Sequence, residues 1–211
     1  MVDNSTISLI SGADDSNHVG QNKKGEVIVV AFSTLKEDGL VIHQPYRRDI
    51  SEAEKWLEKP ERDYIFTLLT YGPESPEFSV LSRPHNLVIV APILVKEHLN
   101  RHRDLKLDSL KIFLDGAMKA NHRQYIRNSF PEFTSCVVDN FNKKQRTDQN
   151  KLCKKIECPK IVKMADTISN MLFGNISLDD LFHSEKYSSH YAPVSIEQVA
   201  VGYRLVEKLQ Q

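Results

Sequence analysis

Thr6-Ile7-Ser8-Leu9-Ile10-Ser11-Gly12 alternates polar and apolar residues and then runs into Ala13-Asp14-Asp15-Ser16-Asn17. A strand that stops at a turn reads this way, and here the stop carries two adjacent carboxylates. Glu26 to Phe32 follows as a Val/Ile run of buried-strand length, and Leu40 to His43 is a third short apolar run after Asp38-Gly39. Three strands joined by short turns predict a meander.

Beyond the meander the period changes. Ser51 and Glu54 form a capping-box signature, and Ala53, Trp56 and Leu57, then Tyr64, Ile65, Leu68 and Leu69, fall at helical spacing, with Pro60 splitting or kinking the helix. Leu87 to Ala91 is β-rich and reads as an extra strand or part of an insertion. Leu110 to Leu114 is a strand ending at Asp115-Gly116, followed by a helical stretch to about Phe130 and a short strand at Cys136 to Val138. Ile161 to Asp166 leads into a helix over Thr167 to Phe173 with Asp166 at its start, and Ser195 with Gln198 opens a C-terminal helix bearing Ile196, Val199, Tyr203 and Val206 on one face. The expected fold is α/β, a mixed sheet with helices packed on it. A first strand in the middle of such a sheet can pair in parallel with a later strand that enters after a helix.

Composition sets the outer bounds. The chain has 211 residues, 40% hydrophobic and 27% charged, enough for one sizeable core. Leu87 to Val95, the longest apolar stretch, contains Pro92 and is far shorter than the roughly 20 residues that span a bilayer, so a membrane protein is not expected. No basic flank or apolar segment marks residues 1–6 for secretion, which places the chain in the cytoplasm as an expectation. Cys136, Cys153 and Cys158 are odd in number and irregular in spacing, and read as free thiols rather than disulfides or a zinc site.

The formal net charge is zero, but it is unevenly spread. Residues 1–100 hold 10 Lys/Arg against 15 Asp/Glu, residues 101–163 hold 15 against 7, and residues 164–211 hold 3 against 6. The middle third is therefore basic, most densely at Lys143, Lys144, Arg146, Lys151, Lys154, Lys155, Lys160 and Lys163. Such a segment is either a solvated lysine-rich loop or a surface that touches phosphates.

Asp14 and Asp15 end the first strand, Asp115 ends the later one, and Asp166 begins a helix. Each has a local explanation as a turn former or an N-cap. Taken jointly they converge on one edge of the expected sheet. Clustered carboxylates repel one another unless protonated or neutralised, and hard oxygen donors on rigid elements suit Mg²⁺ or Mn²⁺. Two such ions about 4 Å apart activate water and stabilise the leaving oxygen at a phosphodiester. Asp139, which also ends a strand-like run, competes for a place in this cluster, and His18 is close enough in sequence to serve as a base or phosphate contact.

These residues resemble the ribonuclease H-like superfamily, and within it the type 2 ribonucleases H. Ser11-Gly12-Ala13-Asp14-Asp15-Ser16 before the apolar Val27 to Phe32 is similar to the family's Gly-x-Asp-Glu opening and the strand after it. Phe113-Leu114-Asp115-Gly116 resembles its strand-Asp-Gly motif, and Val162-Lys163-Met164-Ala165-Asp166 its Lys-Ala-Asp segment. The motifs span residues 11–173 in the family's order. The resemblance implies a ribonuclease H-like domain over residues 1–175, with residues 176–211 as a helical extension packed on it. It further implies a two-metal nuclease site on Asp14, Asp15, Asp115 and Asp166, with Lys163 meeting the scissile phosphate or pairing with a carboxylate. Lys143, Lys144, Arg146 and Lys163 would contact RNA or an RNA/DNA hybrid through its backbone, read by shape and 2′-hydroxyls. Two departures stand out: Asp15 replaces the family's Glu, and Asn17-His18-Val19-Gly20 stands where the family has Gly-Arg-Gly. A nucleic-acid-binding protein without catalysis, on the same scaffold, and an α/β interaction protein without nucleic acid are the two competing readings.

Overall fold

The structure, a computed structural model, describes residues 7–16, 25–45, 49–70, 85–141, 146–147, 154–175 and 184–210. Its elements are β1 (Ile7–Asp15), β2 (Gly25–Ser33), a 3-10 turn (Lys36–Gly39), β3 (Val41–Pro45), α1 (Ile50–Leu57), β4 (Arg62–Thr70) and α2 (Asn86–Arg101). There follow β5 (Leu107–Asp115), α3 (Ala120–Asn128), β6 (Ser135–Phe141), β7 (Arg146–Thr147), β8 (Lys154–Pro159), α4 (Lys160–Asn175), α5 (Glu185–Ser188) and α6 (Ile196–Lys208).

Five strands form the main sheet in the order β4-β2-β1-β5-β6. β1 lies at its centre, antiparallel to β2 and parallel to β5, as the first motif predicts for a mixed α/β fold. Alternation along each strand divides the core into two layers. Leu9, Ala13, Ile28, Val30, Ile112 and Leu114 face α2, α3 and α6, whereas Ile10, Val27, Val29 and Phe113 face α1 and α4. No helix among the described residues is long and apolar enough to cross a membrane. Cys136 is a free thiol, Cys158 is buried in the core, and Cys153 lies outside the described residues.

Three expected elements differ. The meander's third strand is β4, not the run at Leu40 to His43, which forms β3 in a separate sheet ordered β3-β8-β7. Tyr64, Ile65, Leu68 and Leu69 are therefore strand residues; β4 is covered on both faces, so both of its sides are apolar and the period-2 signal is lost. Leu87 to Ala91 is the first half of α2, which continues through Pro92. Residues Leu87 to Pro92 are all buried, so the packing of this helix outweighs its β-branched composition and the proline.

The remaining helix signals are shifted by small amounts. α1 is capped by the Asp49 carboxylate, which accepts from the Ser51 N–H at 3.0 Å, two residues before the expected cap. α6 carries the full Ser195/Gln198 capping box, and Val199, Tyr203 and Val206 join the core. Between β2 and β3, buried Asp38 is gripped by Arg62 through two hydrogen bonds, Nε to Oδ2 at 2.6 Å and Nη2 to Oδ1 at 2.9 Å, and accepts from Ser33 Oγ at 2.7 Å. This bidentate pair ties the 3-10 turn to β4.

Candidate functional site

β1 and β5 run in parallel with Gly12 opposite Phe113 and Ala13 opposite Leu114, so Asp14 and Asp115 end adjacent strands side by side. Alternation puts Asp14 on the side of Gly12, and Asp115 on the side of Phe113, which is the α4 side for both. Asp14 is 3% exposed, and its Oδ1 accepts from the Asp15 N–H at 2.8 Å.

α4 brings the next carboxylate. Its first residue, Lys160, lies with its ammonium 3.5 Å from Asp38, which in turn is bonded to Ser33 at the end of β2 opposite the acidic pair. One residue on, Ile161 presses against Gly12: a Cβ added at Gly12 would lie 2.7 Å from the Ile161 carbonyl carbon. From this contact the helix proceeds toward the end of β1 that carries the acids. Two strand residues advance about 6.6 Å and five helical residues about 7.5 Å, so Asp14 and Asp166 stand at similar heights beyond the contact. Asp166 is 3% exposed and accepts from Asn170 Nδ2 at 3.1 Å. It is mid-helix and not the expected N-cap, because α4 starts six residues earlier, at Lys160.

Asp15 turns to the other face of the sheet, since neighbouring residues of a strand point to opposite sides. There it meets Glu26 of β2, whose carboxyl is pushed up to about 8 by burial, by the charge of Asp15 and by a hydrogen bond with it, despite the opposing bond from Asn86. Asn86 Nδ2 donates to Glu26 Oε2 at 3.0 Å, and Asn86 Oδ1 accepts from Tyr203 at 3.1 Å. A hydrogen-bonded chain thus runs from the end of β1 into α2 and α6. Glu26 read simply as the first residue of a strand, and no spacing signal linked it to Asp15.

Lys163 is buried, and its ammonium donates to the Glu52 carboxylate of α1. Of the two roles expected for it, the carboxylate pairing is the one observed, with a partner outside the four acids. Lys143, Lys144 and His18 lie outside the described residues. The backbone of Arg146 pairs with Lys155 in the β7-β8 hairpin, which follows β6 in the chain, and the last residue of β6, Phe141, stands opposite Asp115. Asp139 is exposed on the α4 side of β6, opposite Phe113, and its Oδ1 accepts from the Asn140 N–H at 2.8 Å.

By kind, the donors on the α4 side fit a hard divalent cation: oxygen only, from β1, β5 and α4. Among the described residues, the three-residue group whose ligand atoms all lie within 4.8 Å of one another is Asp63 on β4, His98 on α2 and His102 just past the end of α2. Only the His98-His102 spacing of four hinted at this group in the sequence.

No family model matches the chain, and no curated protein matches it. Among solved structures the chain is similar to ribonuclease HII of Archaeoglobus fulgidus in its complex with PCNA, at 11% identity and a TM-score of 0.48, covering 95% of this chain and 90% of that one.

Proposed function

We propose that the chain is a Mg²⁺- or Mn²⁺-dependent phosphodiester hydrolase that cleaves RNA or the RNA strand of an RNA/DNA hybrid. The observation that carries the reading is the adjacency of Asp14 and Asp115, each one residue past the last β1-β5 partners Ala13 and Leu114, on the sheet face over which α4 carries buried Asp166. Asp14, Asp115 and Asp166 would hold the ions. When bound, the ions would supply an activated water and charge stabilisation at the leaving oxygen.

The chain's own residues do the positioning. Asp14 and Asp115 are fixed by the β1-β5 ladder, and the Asp15 N–H holds the Asp14 carboxylate. Asn170 holds Asp166, and the Lys163-Glu52 pair anchors the same helix to α1. Lys143, Lys144 and Arg146 of the basic segment are assigned to the phosphates of the nucleic-acid backbone. Asp15, facing Glu26 on the other side of the sheet, is assigned a positioning role through its N–H, which holds the Asp14 carboxylate. That same pairing also favours a second reading, a nucleic-acid-binding scaffold in which the metal site has been lost.

The test is incubation of end-labelled RNA/DNA hybrid, single-stranded RNA and duplex DNA with the full chain and Mg²⁺ or Mn²⁺. Metal-dependent cleavage of the hybrid or the RNA supports the hydrolase. Salt-sensitive binding without cleavage supports the second reading, and absence of both sinks the nucleic-acid assignment.

A further inference from the structure

Asp63, at the start of edge strand β4, lies among three imidazoles. His98 Nδ1 and His102 Nε2 are each 3.4 Å from its Oδ2, and His190 Nδ1 is 3.2 Å from its Oδ1. The two carboxylate oxygens are used differently. Oδ1 accepts the Tyr64 N–H at 2.7 Å and has His190 beside it, while His190 is itself held by the Tyr64 carbonyl at 3.0 Å and stacked on the Tyr64 ring. Oδ2 is turned toward His98 and His102.

Those two contacts are poor hydrogen bonds. At 3.4 Å they exceed the ordinary N–H···O range of about 2.7–3.2 Å, and buried His98 Nδ1 finds no hydrogen-bond partner among the described residues. They do match the edge of a tetrahedron of ligands: metal–ligand bonds of about 2.0–2.1 Å place neighbouring ligand atoms about 3.3–3.4 Å apart. His98 lies in the last turn of α2 and His102 is its C-cap, four residues on, with its N–H bonded to the His98 carbonyl, a spacing that turns two imidazoles to one side. The His98 ring is fixed by stacking on Phe32 at 3.8 Å, so its nitrogen is aimed by packing.

We infer that Asp63, His98 and His102 form a zinc site, with Asp63 bound through Oδ2 and oriented by the Tyr64 N–H and His190. Two nitrogens and one carboxylate oxygen suit a borderline ion such as Zn²⁺, in contrast to the all-oxygen set at the strand ends. The three ligands line a cavity of about 250 Å³ with Thr34, Glu61 and Leu105, which leaves room for a water or the Glu61 carboxylate in the fourth position. Such an outer partner for the carboxylate is what metal sites use to fix ligand orientation. The site is separate from the acidic strand ends. Asp63 stands opposite Phe32, which pairs with Ser11, on the α2 side of the sheet, two strands and roughly 10 Å along the strands from Asp14. A bound ion would staple the last turn of α2 to edge strand β4.

The experiment titrates the metal-stripped full chain with Zn²⁺ against a chromophoric chelator, and with Co²⁺ read by its visible d–d absorption. The native chain is expected to bind one Zn²⁺ and to give the intense absorption of a four- or five-coordinate Co²⁺ site. His102 is largely exposed, so His102→Ala should fold normally, with an unchanged melting temperature in chelator, yet lose at least about tenfold in zinc affinity. Asp63→Asn should lose affinity likewise, while Asp115→Asn should keep it. Failure of the native chain to bind zinc would overturn the assignment. So would native affinity in both His102→Ala and Asp63→Asn, or loss of zinc in Asp115→Asn alone.

Discussion

Asp14 and Asp15 are covalent neighbours in different surroundings. One pleat of β1 sends Asp14 toward α4 and Asp15 toward Glu26, so two acids that look equivalent in the sequence have different chemistry available to them. Glu26 makes this difference measurable. Its folded-state pKa of about 8 lies above the unfolded value of 4.5, so below about pH 4.5 the proton is held in both states and its contribution to stability is complete. Between these values the unfolded chain releases the proton and the folded chain keeps it, so stability falls as pH rises and levels off above about 8. The slope is at most about 1.4 kcal/mol per pH unit. Glu26→Gln keeps a donor for Asp15 and an acceptor for Asn86 without titrating. Urea denaturation from pH 5 to 8 should show a flatter stability profile for this variant than for the native chain; equal slopes would mean that Glu26 is ionised in the fold.

Among the elements, the placement of α4 decides what Asp166 can do. Gly12 supplies the clearance: its missing side chain lets the Ile161 backbone rest on β1, and any Cβ there would lie at 2.7 Å from that carbonyl carbon. Gly12→Ala should therefore lift α4, at a cost of about 1–3 kcal/mol in thermal or urea unfolding, and reduce any metal-dependent cleavage with it. A variant of native stability would show that the helix has slack at this contact. The same elements show what the sequence revealed. β1 and β5 were legible because each alternates or ends at an acidic turn, and α6 because its cap and apolar face agree. β4 and the first half of α2 were not, since a strand covered on both faces and a helix turn buried all round lose the periodicity that distinguishes strand from helix. The sequence pattern puts Asp166 at a helix start because the apolar run from Ile161 reads as a segment leading into the helix, whereas Ile161 to Ala165 are already helical and buried on the α1 and α4 side of the sheet. The Asp63 cluster stayed hidden for another reason, the sequence separation of 35 from Asp63 to His98, which only the packing of α2 over the β2-β4 edge closes.

For the whole molecule, the sheet separates two kinds of donor chemistry. Its α4 side gathers oxygen donors at the ends of β1 and β5, and its α2 side holds the imidazole-carboxylate group near the start of β4. The nuclease proposal belongs to the first of these, and it depends on which side of the sheet each acid faces. The most direct measurement compares Mg²⁺- or Mn²⁺-dependent cleavage of an end-labelled RNA/DNA hybrid by the native chain, Asp115→Asn and Asp15→Asn, with folding checked by circular dichroism. Asp115→Asn should lower the rate by at least about 100-fold, the scale of losing an electrostatic contact to the reacting group, while Asp15→Asn should retain measurable cleavage. Full activity in Asp115→Asn, or equal loss in both variants, would contradict the nuclease proposal.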